Sequence, residues 1–101
     1  MIVEYIRYAA EDAEALIAAY AQARPWLDAS PHCLAYEVTR CTEEPQSIIV
    51  RIEWDSEEGH LQGFRKSAAF GPFLQAVRPF IGQIQEMRHY ALTSVAARKP
   101  A

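Results

Sequence analysis

Apolar and polar positions alternate with a period of two at the start of the chain. Ile2, Ile6 and Tyr8 share one face with Glu4, and Val3, Tyr5 and Arg7 share the other. This pattern predicts a strand over residues 2–8. The period then lengthens. Residues 11–24 are alanine-rich, carry acids in the first turn and end on Arg24, which suits a helix dipole. Leu16, Ile17, Tyr20 and Leu27 form the apolar stripe of that helix, and Pro25 is expected to end or kink it, with Trp26-Leu27 available for one further turn. Two further β-branched runs, 33–41 and 46–55, predict strands around a turn at Thr42-Glu43-Glu44-Pro45. Ser56 is a suitable N-cap for a helix reaching about Lys66, with Glu57 and Glu58 in its first turn. Ser67 opens a second short helix with Phe70, Phe73, Leu74 and Val77 as its stripe, closed by Pro79 and Gly82. Residues 83–92 predict a last strand, and 94–101 a frayed, flexible tail.

The order β-α-β-β-α-β implies an α+β, ferredoxin-like fold over residues 1–93, a four-stranded antiparallel sheet with both helices on one face. On the third strand, Ile48, Val50, Ile52 and Trp54 form a nearly all-apolar face for the helices. Ile49, Arg51, Glu53 and Asp55 form a mixed second face, continued by Val3, Tyr5 and Arg7. That face is apolar enough to suggest a homodimer made through the sheets.

With 101 residues, half of them hydrophobic, the chain accommodates one domain. A net charge of −3 argues against a sequence-independent grip on nucleic acid. No apolar run approaches the ~20 residues needed to cross a bilayer, and the N-terminus has no basic region or cleavage site, so no membrane association and a cytoplasmic location are expected. Cys33 and Cys41 mark the two ends of the predicted second strand. At ~3.3 Å per residue they lie beyond disulfide reach and are expected as free thiols.

There is no glycine-rich phosphate loop, nucleophile elbow, His-Glu-x-x-His or Cys-x-x-Cys, and His32-Cys33 with Cys41 is not zinc spacing. No metal and no cofactor are expected. Glu4 is the first candidate for chemistry. It lies on the helix-facing side of its strand, and a buried carboxylate needs a partner or a function. Arg88 on the last strand is the candidate partner. The second candidate is Trp54 with His60, an indole plate beside an imidazole suited to deprotonating a planar phenol. His89 and Tyr90 must point to opposite faces, so only one of them can line a pocket. Phe64, Phe70, Phe73, Phe80 and Tyr36 supply core packing or an apolar cavity lining.

Residues 51–70, from Arg-Ile-Glu-Trp-Asp to Ser-Ala-Ala-Phe, resemble the signature stretch of the antibiotic biosynthesis monooxygenase family: a strand-ending Trp, a polar turn, a helix with a His or aromatic, then Ser-x-x-Phe. Glu-Met-Arg-His-Tyr (86–90) and the first strand fit the same layout. The resemblance implies a dimeric α+β barrel with a pocket between sheet and helices. It also implies an oxygenase that oxidises a small aromatic quinol or polyphenol with O₂ and no metal or flavin. By position, the family's Trp maps onto Trp54. The first-strand Asn of several members maps onto Glu4, a carboxylate where they have an amide. Their helical aromatic falls near His60. The haem-ligating His of other members falls near Phe73, which argues against haem degradation. The implied site has Glu4 or His60 as base, Trp54 as stacking wall, and Tyr36, Phe64, Phe73, Arg88 and His89 around the pocket. The competing reading is a non-catalytic module that binds a small molecule in the same pocket.

Overall fold

The computed structural model describes all 101 residues. The chain runs β1 (Ile2–Ala9), α1 (Ala13–Asp28), β2 (Cys33–Arg40), β3 (Ser47–Trp54), α2 (Phe70–Val77) and β4 (Ile84–Ala91). The strands make one antiparallel sheet in the order β2-β3-β1-β4. This is the expected ferredoxin-like α+β arrangement. Its core joins Ile48, Val50, Ile52 and Trp54 of β3 to Leu16, Tyr20 and Leu27 of α1 and to Phe73 and Val77 of α2. Cys33 and Cys41 are free thiols. Residues 92–101 are exposed and lie outside any helix or strand. No helix is long and apolar enough to cross a membrane.

Asp12 caps α1, its carboxylate accepting from the Ala15 amide at 3.1 Å. Of the outcomes expected at Pro25, the further turn is the one that forms. The helix continues to Asp28, although proline supplies no amide to the turn before it. The residues beyond it explain the continuation: Leu27 is fully buried in the core, and stopping at Pro25 would withdraw it.

The segment after β3 also departs from a regular α-helix. Ser56 does act as a cap, accepting from the Gly59 amide at 2.8 Å. The chain then forms a π-helical turn over Gly59–Gly63 and a 3₁₀ turn over Phe64–Lys66. Two glycines let this turn approach β3 and the loop before β2. A Cβ at Gly59 would collide with Asp55, and one at Gly63 with His32. Those two side chains are hydrogen-bonded to each other at 2.9 Å.

Ser67 does not cap the next helix as expected. Its hydroxyl donates back to the Phe64 carbonyl at 2.7 Å, closing the preceding turn. Leu16→Ala, at a position with no exposed surface, is expected to cost about 3 kcal/mol in urea denaturation. A cost near zero would contradict this account of the core.

Candidate functional site

The site grows from the sheet register. Glu4 stands opposite Ile52 on β3 and opposite His89 on β4, so these three side chains share the helix-facing side of the sheet. Trp54 lies diagonally from Glu4, within reach of a long side chain. Its indole Nε1 donates to Glu4 Oε1 at 3.1 Å. The π-helical turn brings His60 over the indole, the two rings stacking at 4.3 Å between centroids and 9° between planes. His60 Nε2 lies 3.7 Å from Glu4 Oε1. Glu4, Trp54 and His60 are all buried, and no buried side-chain nitrogen or oxygen lacks a hydrogen-bond partner.

These groups end an apolar cavity of about 210 Å³, walled by Ile6, Tyr8, Tyr20, Phe64, Phe70, Phe73 and Met87, with Arg65 also in its lining. Tyr8 and Tyr20 share a hydrogen bond of 2.7 Å between hydroxyls. Burial raises the proton affinity of Glu4, partly offset by the Trp54 hydrogen bond and by the electrostatic influence of His89 and Arg65. Burial, with Arg65 and His89 facing it, lowers the His60 imidazole to about 3. His60 is therefore neutral near neutral pH.

The hydrogen bonds around His60 define its tautomer. Arg65 Nε donates to His60 Nε2 at 3.2 Å, so that nitrogen carries no proton. The proton is then on Nδ1, which donates to His89 Nε2 at 2.7 Å. His89 in turn carries its proton on Nδ1, 3.8 Å from Glu57 Oε1. Ligand atoms of Glu4, His60 and His89 lie within 4.8 Å of one another, close enough for a metal ion. The Nε2 lone pairs of both imidazoles are already engaged, however, and the Arg65 cation sits against His60. A metal would need the facing imidazole nitrogens bare. The cluster fits a hydrogen-bonded chain better than a ligand set.

Of the residues singled out in the sequence, the structure brings together Glu4, Trp54, His60, Phe64 and Phe73, all lining the cavity. His89 sits behind His60, outside the lining. Two expected members lie elsewhere. Arg88 is exposed on the opposite sheet face, paired in register with Tyr5 and 3.9 Å from Glu86, so it is not the partner of Glu4. Tyr36 lines a separate groove with Ile17 and Val38. There its hydroxyl donates to Asp28 at 2.6 Å and accepts from Arg24 at 3.2 Å. The expected open stacking wall on Trp54 is occupied by His60, which leaves the indole to hold Glu4. Arg65 was missed because α-helical spacing puts residue i+5 on the far side, whereas the π-turn aligns it with His60. Tyr8 and Tyr20 were legible, sharing the Glu4 face and the α1 stripe.

The ferredoxin-like domain thus carries an aromatic-walled cavity with one buried acid-imidazole cluster at its end. The sequence model for antibiotic biosynthesis monooxygenases matches residues 1–76, and the chain belongs to that family. Solved structures of other proteins share the fold, three of them as follows. One from Bordetella bronchiseptica, provisionally assigned as an antibiotic biosynthesis monooxygenase, has a TM-score of 0.79 at 23% identity, covering 91% of this chain and 96% of its own. SnoaB of Streptomyces nogalater, a cofactor-independent oxygenase, has a TM-score of 0.69 at 14% identity, covering 98% and 94%. The ActVA-Orf6 monooxygenase of Streptomyces coelicolor, solved with nanaomycin D, has a TM-score of 0.70 at 14% identity, covering 99% and 92%.

The two titrating groups pull stability in opposite directions. His60, lowered in the fold, contributes stability that is present above 6.5 and lost as pH falls toward about 3. Glu4, raised, contributes most below 4.5, and that contribution is lost as pH rises through its folded value. Thermal unfolding of His60→Phe is therefore expected to depend less on pH than wild type between about 6.5 and 3, by on the order of a few kcal/mol. Identical pH slopes in the two proteins would contradict the burial of a neutral imidazole.

Proposed function

We propose that the protein is a cofactor-independent monooxygenase acting on a small aromatic quinol or polyphenol. The observation that carries this reading is the buried Glu4–Trp54–His60 cluster with Arg65, set in an otherwise apolar cavity. An apolar cavity of about 150 Å³ holds benzene, so about 210 Å³ suits one substituted ring. Further rings would extend through the open side. The names of SnoaB, a cofactor-independent oxygenase, and of the ActVA-Orf6 monooxygenase support the reaction type.

In this reading Glu4 takes a proton from the substrate hydroxyl. Its raised proton affinity suits a base better than the neutral His60, which holds a proton poorly. Trp54 fixes the carboxylate, and the Arg65 guanidinium faces the anion that forms. The anion gives an electron to O₂, and the resulting pair combines to a peroxide on the ring carbon. The peroxide takes back a proton and loses water. One oxygen atom remains on the substrate in place of two hydrogens, and the substrate supplies all the electrons that O₂ accepts. The apolar walls keep water from the intermediates.

A second copy of the chain is proposed to cover the other face of the sheet. That face carries exposed Ile49 and Tyr90, the Tyr5–Tyr90 edge contact at 5.4 Å, and Arg51 bonded to Glu53 at 2.7 Å. This mixture resembles an interface more than a solvated surface.

Oxygen uptake with a panel of hydroquinones and anthrone-like phenols tests the reaction. Wild type is expected to consume O₂ with at least one of them, and Glu4→Gln to lose about a hundredfold in rate. Binding without uptake across the panel would instead identify a non-catalytic binding module. Light scattering after gel filtration at micromolar concentration is expected to give twice the 11.4 kDa chain mass. A clean monomer would contradict the dimer.

A further inference from the structure

We propose that His60, His89 and Glu57 form a proton path from the base in the cavity to the protein surface. This rests on the reading of Glu4 as the base, and it assigns work to two residues that touch neither cavity nor substrate.

A carboxylate buried in an apolar pocket can take one proton, and a path to the surface lets it release that proton and recover it for the peroxide. Glu4 has no direct exit, being almost wholly covered. The groups around His60 are Glu4 from β1, Trp54 from β3, Arg65 from the 3₁₀ turn and His89 from β4. Trp54 Nε1 only donates, and Arg65 keeps its protons. His89 alone among them can accept a proton from His60 and pass it outward. Its Nε2 lies 2.7 Å from His60 Nδ1, and its Nδ1 lies 3.8 Å from Glu57 Oε1. The last gap closes with a small rotation of Glu57, whose side chain is 59% exposed. Burial falls stepwise along the route, from 4% exposed at His60 to 19% at His89 and 59% at Glu57.

The tautomers are set for this direction. Arg65 keeps His60 Nε2 free of hydrogen, so the proton from Glu4 has a lone pair to enter once Arg65 turns to the substrate anion. His60 Nδ1–H then passes to His89 Nε2, and His89 Nδ1–H passes to Glu57. One proton enters, one leaves, and both rings end with hydrogen on Nε2. When the peroxide needs its proton, the same steps run backwards and restore the starting tautomers. His89 and Glu57 thus act through Glu4 and His60 as positioning residues.

Two measurements test the path without any oxidation. Nitrogen-15 NMR of the resting protein is expected to find hydrogen on Nδ1 of both His60 and His89; hydrogen on Nε2 of either ring overturns the path. Para-nitrophenol, whose phenol and phenolate differ in colour, reports proton transfer in the cavity by stopped-flow pH jump. In Glu57→Gln the transfer rate is expected to fall about tenfold with affinity unchanged, and added formate or imidazole to restore it. An unchanged rate, or a loss that no buffer restores, overturns the role of Glu57. Oxygen consumption enters neither readout. A protein that passes both but oxidises no phenol would retain the path and lose the proposed reaction.

Discussion

The site depends on one unfavourable placement, a carboxylate on the apolar face of a central strand. Glu4 lies between β3 and β4 with helices above it, where an unpaired charge would cost several kcal/mol. Its neighbours answer that cost in turn. The Trp54 indole N–H reaches it along a sheet diagonal, His60 stacks on the indole, Arg65 donates to His60, and His89 accepts from it. Removing Glu4 would leave this row of donors and rings without its end point. The cluster is polar, buried and fully hydrogen-bonded, an arrangement that specifies one geometry when every member is satisfied.

The π-helical turn explains how so many groups converge. An α-helix after Ser56 would place residue i+4 over His60, and Phe64 would then take the position that Arg65 holds. One extra residue in the turn moves Phe64 beside the indole, with ring centroids 5.1 Å apart, and brings Arg65 onto His60. The same turn approaches the loop before β2 closely enough that Gly59 and Gly63 pack against Asp55 and His32. The backbone irregularity, the glycines and the site are parts of one local solution.

Most of the fold was legible because burial imposes simple periods. The alternation in β3 placed Ile48, Val50, Ile52 and Trp54 toward the helices, and all four are buried there. What stayed open or failed was local. Pro25 leaves a stop, a kink or one further turn open, and the burial of Leu27 decides for the further turn. Arg88 reads as a match for Glu4, yet it is the neighbouring His89 that stands opposite Glu4 in the register, and a shift of one residue turns a side chain to the other face. The pattern of β4 is weak, with apolar Ile84 and Met87 out of step. The reason is a register irregularity where Tyr8 pairs with Ile84 after Arg7 pairs with Glu86. The pairing of Glu4 with Trp54 needs a cross-strand register, and the Arg65 contact needs a non-α turn. Neither is carried by a period along the chain.

Everything proposed for the site follows from Glu4 holding its proton more tightly than an exposed carboxyl does. The direct measurement is the carbon-13 shift of the Glu4 carboxyl through a pH titration, assigned by its disappearance in Glu4→Gln. The account predicts a midpoint above the ordinary 4.5, with the carboxyl still partly protonated where the surface acids are ionised. A midpoint at or below 4.5 would mean that Trp54 and the electrostatics of the nearby His89 and Arg65 outweigh burial. Glu4 would then be a structural anion and not a base.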